Sequence, residues 1–255
     1  MENKFLNNFI KAGKNKEHQN QINKIINNEN SIFTADGVIE GKKLGSGNYG
    51  DVSEVEIEKG KHKIKLATKD YSKDLDNAEM RAERAYKNYL LVKSAGLKVF
   101  PTMRISEDKK KLLMTLGTNA NNFIVSKGSE IKWEKIKKLD NLDSLITNLK
   151  DNIKKASLSD ILLESDLYFL LINKSKPNKV DFVIGDYDLI RSIKDNKHRY
   201  GIGYALSTNV KNTIINLREL ISMYVEEKYK KEYIQKLERE LFKFEKEELS
   251  KMRAE

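Results

Sequence analysis

Leu44-Gly45-Ser46-Gly47-Asn48-Tyr49-Gly50-Asp51-Val52 carries three glycines at the spacing G-x-G-x-x-G, with a valine two residues beyond the last. The chemistry such a run suits is phosphate binding. Glycine has no Cβ, so the loop backbone can lie close over a triphosphate. Its amide N–H groups can then face the phosphate oxygens. The same glycine spacing in a dinucleotide-binding fold runs from a strand directly into a helix. Here Asp51–Glu58 follows, with apolar residues at 52, 55 and 57. That is a poor helix face and a fair strand with one slip in register. Lys59-Gly60-Lys61 reads as a turn, and Lys63–Lys69 alternates as a second strand ending in a lysine. A glycine-rich hairpin with no ligand is the plain alternative. A second stretch of interest is Val183-Ile184-Gly185-Asp186-Tyr187-Asp188-Leu189-Ile190, an apolar strand that delivers a carboxylate and then an aromatic residue. A third is Leu163–Asn173, which contains Asp166.

The elements that must position these residues read as follows. Residues 1–30, rich in Asn, Lys and Gln, form a mobile arm or a marginal helix. Residues 31–70 open a β-rich region. Residues 76–95 form a helix, capped by Asp76-Asn77 and followed by Gly96. Val99–Ser106 and Lys111–Leu116 are two further strands, and Gly117–Asn122 is a connector. Residues 130–156 are helical, with Trp133, Ile136, Leu139, Leu142, Leu145, Ile146 and Leu149 as the buried stripe. Residues 166–190 return to short strands and residues 208–255 are mostly helical. Val210, Ile214, Leu217 and Ile221 give one apolar stripe there, and Glu232 to Glu255 is charged enough for a surface helix or protruding tail.

Composition narrows the classes. The 255 residues, 39% of them hydrophobic, can bury a substantial core. The chain has no cysteine, which excludes disulfides, thiolate nucleophiles and cysteine-based zinc sites. His18, His62 and His198 are scattered, against a histidine metal site. No apolar run is long enough to span a bilayer, and no secretory signal peptide is present, so the reading is a soluble protein. The net charge of +10 reads as a solvated lysine-rich surface. No aromatic residues interleave regularly with the basic ones, so nucleic-acid binding is not expected.

Together the glycine hairpin, Lys69, the helix after it and Asp186 resemble the protein-kinase superfamily over about residues 38–225. The resemblance implies an α+β, two-lobed kinase-like fold with a small β-rich N-lobe and a reduced helical C-lobe. Its parts are an arm at 1–30, an N-lobe at 31–117, a C-lobe at 118–230 and a charged C-terminal helix at 231–255. It implies ATP with Mg2+ or Mn2+ as cofactors. Gly45, Ser46, Gly47, Asn48, Tyr49, Gly50 and Val52 would cover the nucleotide. Lys69, seventeen residues after Val52, would hold the α/β-phosphates. Glu83 would pair with that lysine, with Glu79 its competitor one turn earlier. Met114 would stand beside the adenine and Thr115-Leu116-Gly117 would be the hinge. Asp186 would bind the metal, with Tyr187 in place of the usual phenylalanine and Asp188, a backup ligand, in place of the usual glycine. Asp166, twenty residues before Asp186, would be the catalytic base, and Asp160 is a weaker candidate. Glu164-Ser165 stand where His-Arg is usual. Leu171 stands where the second metal ligand is usual, leaving Asn173 for that role if the loop is rearranged.

Within the superfamily, Asp166-Leu167-Tyr168-Phe169-Leu170 is similar to the catalytic segment of minimal kinases that bacteria inject into host cells. That resemblance implies a bacterial protein exported to phosphorylate a host protein, most simply on Ser or Thr. Only about twenty residues separate Asp186 from the helix near Thr208, with no Ala-Pro-Glu element. Activity is therefore expected to be constitutive or switched by a partner, for which the C-terminal helix is a surface. A pseudokinase scaffold, a small-molecule phosphotransferase of the same fold and a basic nucleic-acid-binding protein stay open.

Overall fold

Strand-period sequence between residues 38 and 70 becomes a meander of three long strands, β1 (Val38–Ser46), β2 (Asp51–Lys59) and β3 (His62–Asp70). The computed structural model describes residues 38–59, 62–99, 103–106, 108–116, 122–125, 138–192 and 201–254. The N-terminal arm expected at 1–30 lies outside the described residues, as do Trp133 and Ile136. The chain divides into two units. One comprises residues up to 87 together with 100–123, the other residues 88–99 together with 124–255.

In the first unit β4 (Met103–Ile105) and β5 (Lys111–Thr115) complete an antiparallel five-stranded sheet in the order β1-β2-β3-β5-β4. The β2–β3 ladder is regular over its whole length. The slip expected in β2 lies instead on β1, where the register shifts between Glu40 and Lys43 and again between Lys43 and Gly45. Between β3 and β4 the chain forms helix α1 (Ala78–Ser94). Its stripe of Ala78, Ala82, Ala85, Tyr89 and Val92 is buried, with the spacing of one helix face. Gly96, at φ +73°, stops it. The Gly96 N–H donates to the Lys93 carbonyl (3.0 Å) and the Leu97 N–H to that of Val92 (3.1 Å). This is a Schellman closure, and it explains why a glycine follows the helix.

Among the described residues the second unit holds the end of α1, three further helices and two small sheets. Helix α2 (Leu142–Leu158) leads into β7 (Ile161–Leu163), β8 (Tyr168–Asn173) and β9 (Lys176–Ile184). A single 3-10 turn at Tyr187–Leu189 is followed by β10 (Ile190–Ser192), α3 (Ile202–Tyr224) and α4 (Glu227–Ala254). β6 (Asn122–Val125), β8 and β9 form one sheet in that order, and β7 pairs with β10 in another. Leu139, Leu142, Leu145, Ile146 and Leu149 are buried, as the α2 stripe requires. The described helix starts at 142 rather than 130, and α3 starts at 202 rather than 208. Of the two alternatives for the charged C-terminal segment, α4 is the surface helix and not the protruding tail: Tyr233, Leu237, Leu241 and Phe244 are buried, and Lys150–Glu240, Lys154–Glu248 and Lys236–Asp143 ion pairs tie it to α2. Its narrow apolar stripe is obscured in sequence by the charges on its other faces. Among the described residues no helix is long and apolar enough to cross a membrane.

Candidate functional site

The first unit sets the nucleotide-binding candidates in a row. Gly45 pairs with Val52, Val52 with Lys69, and Lys69 with Leu112. Directly opposite residues of antiparallel strands point to the same side of a sheet. The seventeen-residue spacing from Val52 to Lys69 is therefore the register of the β2–β3 hairpin, whose last pair is Lys59 with His62. Ala67 pairs with Met114 and shares the face of Lys69 by the two-residue period of a strand. Leu116 follows the end of β5 and is half-buried. The Lys69 ammonium lies 5.1 Å from the centre of the Tyr71 ring.

Between β1 and β2 the Gly47 N–H donates to the Gly50 carbonyl (2.9 Å) and closes the loop. Its three conspicuous glycines have different reasons to be glycine. A Cβ on Gly50 would stand 2.4 Å from the Asp70 carbonyl oxygen, so the crossing of β3 excludes any side chain there. A Cβ on Gly45 would meet nothing within 4 Å, and one on Gly47 only the Gly50 carbonyl at 3.7 Å. Neither packing nor a left-handed backbone demands glycine at those two positions. Asn48 and Tyr49 are exposed at the tip, and the Arg81 guanidinium covers the Tyr49 ring at 3.6 Å. Arg81 is itself paired with Asp74. On the loop's flank Asp51 Oδ1 accepts from Lys73 (2.6 Å), Ser46 Oγ (2.6 Å) and Lys43 (3.0 Å). These donors, Lys73 foremost, hold the Asp51 carboxyl far below the usual carboxylate range.

Glu83 projects from the first half of α1, and its carboxylate is taken by Lys109 of the β4–β5 turn at 2.9 Å. The pairing lowers the Glu83 pKa and raises that of Lys109. Glu79 adds to the field at Lys109. Both glutamates considered as partners of Lys69 thus act on a lysine that the sequence did not single out.

In the second unit the β8–β9 ladder decides where the carboxylates go. Tyr168 pairs with Ile184, and beyond that pair the Gly185 N–H donates to the Leu167 carbonyl (3.0 Å). Asp166 and Asp186, the next residues on each side, therefore lie at the same end of one hairpin although twenty positions apart. A Cβ on Gly185 would stand 2.2 Å from Phe169 Cε2, so any side chain there must displace that ring. Asn173 is not brought to this end. It pairs with Lys176 at the β8–β9 turn, five residues along β8 from Tyr168, which is roughly 17 Å at strand rise. Its Oδ1 accepts from the Ser175 N–H (2.9 Å) and Oγ (2.6 Å). β8 is continuous from Tyr168 to Asn173, and its one register shift, between Ile172 and Asn173, leaves Asn173 at the β8–β9 turn. Asp160, at φ +57°, sits in the turn after α2, a left-handed position that Asp tolerates. Asp188 falls inside the 3-10 turn.

The residues that hold the Asp166 segment are asparagines that the sequence reading missed. Asn209 on α3 accepts from the Leu163 N–H (2.7 Å) and donates to the Ile161 carbonyl (2.8 Å). One turn on, Asn212 donates to the Leu163 carbonyl (2.8 Å), and a further turn on Asn216 accepts from the Tyr168 N–H (2.8 Å). The backbone is thus gripped on both sides of Asp166 by one face of a helix. Tyr168 is fully buried, with its hydroxyl accepting from Thr213 Oγ1 (3.2 Å) and Asn152 Nδ2 (3.3 Å). Burial pushes this phenol up to about 12, so it stays neutral. The signal was present: Asn209, Asn212, Thr213 and Asn216 recur at helical spacing among the apolar positions of α3. Polar side chains on a buried face must find partners, and here the partners are backbone groups.

Among the described residues no three of His, Cys, Asp and Glu gather to hold a metal ion by themselves. A magnesium ion takes one or two carboxylates together with substrate phosphates. A carboxylate such as that of Asp186, at this end of the hairpin, would suit such an ion.

Comparison with known proteins finds no family model and no curated protein that matches this chain. Among solved structures, the crystal structure of a kinase domain matches with a TM-score of 0.44 at 11% identity, over 72% of this chain. This chain spans 64% of that domain, a little under two thirds of its length.

Proposed function

We propose that this chain is a phosphotransferase of the kinase type, using ATP with Mg2+ or Mn2+. The observation that carries the reading is the β8–β9 register, which sets Asp166 and Asp186 at one hairpin end through the Leu167–Gly185 bond. The order Gly45, Val52, Lys69 across one face of the first sheet supports it, as do two glycines that the chain's own packing leaves unexplained. In this reading amides of the Gly45–Gly50 loop other than that of Gly47, which the Gly50 carbonyl takes, and the Lys69 ammonium bind the phosphates. Asp186 orients the metal, which when bound supplies charge neutralisation at the β- and γ-phosphates. The Asp166 carboxylate accepts a hydrogen bond from the substrate hydroxyl and takes its proton late in transfer. The hydroxyl oxygen gains a bond to the γ-phosphorus, the β–γ bridging bond breaks, and ADP leaves.

The substrate we propose is a Ser or Thr hydroxyl of a protein, in a host cell if the likeness of Asp166–Leu170 to the secreted minimal kinases extends to biology. The test is incorporation of label from γ-32P-ATP with Mg2+ or Mn2+ and host-cell lysate. Label in the wild type should fall at least about 100-fold in Asp166→Ala, Asp186→Ala and Lys69→Ala. Label retained in the two aspartate variants would remove this site assignment.

A second reading is a nucleotide-binding scaffold without transfer. It is favoured by Glu83 being engaged by Lys109 and by Asn173 lying at the far hairpin end. An ATP-dependent thermal shift with no label in any protein would select it.

A further inference from the structure

We infer that Asn88 is a positioning residue for Asp186, an inference that rests on the phosphotransferase reading. Asp186 sits between the last pair of β9 and the 3-10 turn, so its direction depends on how that turn is held. A 3-10 turn of three residues has poor hydrogen-bond geometry of its own and is easily remodelled. Three contacts on this one bear on Asp186. The Tyr187 hydroxyl donates to the Ile184 carbonyl (3.0 Å), bridging the segment across Asp186 itself. The Tyr187 ring is buried and meets the edge of Tyr89 with centroids 5.4 Å apart. The third is Asn88: its single Nδ2 donates both to the Tyr187 carbonyl (2.8 Å) and to the Ile190 carbonyl (3.0 Å). One neutral NH2 group thus ties together the two ends of the turn that follows Asp186.

The chemistry of that contact is specific. Bridging two carbonyls from one short side chain needs two N–H donors and no formal charge, which is what a carboxamide supplies. An aspartate at 88 has the same shape but only acceptor oxygens, which would face two carbonyl oxygens and push the turn away. Lys98 and Asn141 brace β9 further back, through Asp181 (2.6 Å) and through the N–H and carbonyl of Val180 (2.9 and 2.7 Å). They fix the strand behind Asp186, whereas Asn88 acts on the turn directly after it.

The experiment compares the affinity of a non-hydrolysable ATP analogue with Mn2+ present and with EDTA, using the full chain. The wild type should bind more tightly with the metal. In Asn88→Asp the metal-dependent tightening should shrink about tenfold, the usual effect of losing a partner behind a metal ligand, while the affinity in EDTA is unchanged. Asn141→Asp removes the same kind of backbone clamp six residues before Asp186. It should lower thermal stability and keep the tightening. If Asn88→Asp does not fold, Asn88→Ala, which removes the donor without adding charge, should shift the same ratio in the same direction. Full tightening in a folded Asn88 variant overturns the inference and leaves the phosphotransferase reading intact. A wild type that binds the analogue equally with and without Mn2+ overturns the inference and the metal role of Asp186. No binding under either condition overturns the phosphotransferase reading as well.

Discussion

Gly45 and Gly50 are indistinguishable in a motif but not in the folded chain. At Gly50 a methyl group would collide with the Asp70 carbonyl, a backbone atom that cannot swing aside. At Gly45 the same methyl enters open space. Gly50→Ala is therefore expected to cost about 1–3 kcal/mol of stability, as overpacking does. Gly45→Ala should leave stability within about 0.5 kcal/mol yet weaken ATP binding, because the space it fills is where the phosphates would lie. Denaturant titration and nucleotide titration of the two variants separate these effects. Equal loss of stability in both would show that Gly45 also serves the fold. The same distinction limits what could be read from the other residues. The distance of Lys69 from Val52 reflects a local hairpin. The Lys109 partner of Glu83 comes from a different strand turn, which no local spacing states.

At the scale of elements, α4 carries the clearest consequence. Four of its large side chains, Tyr233, Leu237, Leu241 and Phe244, are buried, although its sequence is dominated by Lys and Glu. Leu237→Ala and Leu241→Ala are each expected to cost about 2–5 kcal/mol, the range for truncating a fully buried leucine. Lys243→Ala, on the exposed face, should stay within about 0.5 kcal/mol. Thermal melts of the three variants test this. Cheap leucine variants would mean that α4 is dispensable, as a partner-binding tail would be. Helix α3 shows the complementary lesson. Its apolar stripe was legible, but the asparagines within it gained meaning only from the strand backbone they grip.

For the whole molecule, charge is the property that sequence states most directly. A net charge of +10 on 255 residues attracts polyanions, and such attraction is lost as salt displaces it. Binding of this protein to mixed DNA or RNA is expected to disappear by about 0.2 M salt, measured by a retention assay at stepped ionic strength. Binding that persists would point to base contacts and to a nucleic-acid function.

By itself the sequence determined the local elements: the β-rich run to residue 70, the helix that Gly96 ends, the strand that presents Asp186 and the apolar stripe of α3. These follow from periods of two and 3.6 residues and from turn chemistry, which act over a few positions. Tertiary structure decided what brings distant positions together. The β8–β9 register joins Asp166 to Asp186 and sends Asn173 to the other end of the hairpin. The asparagine row of α3 holds the Asp166 segment, and Asn88 holds the turn after Asp186. Pairing register and hydrogen-bond partners depend on which backbone groups end up buried without a partner, and a single chain's residue order does not state that.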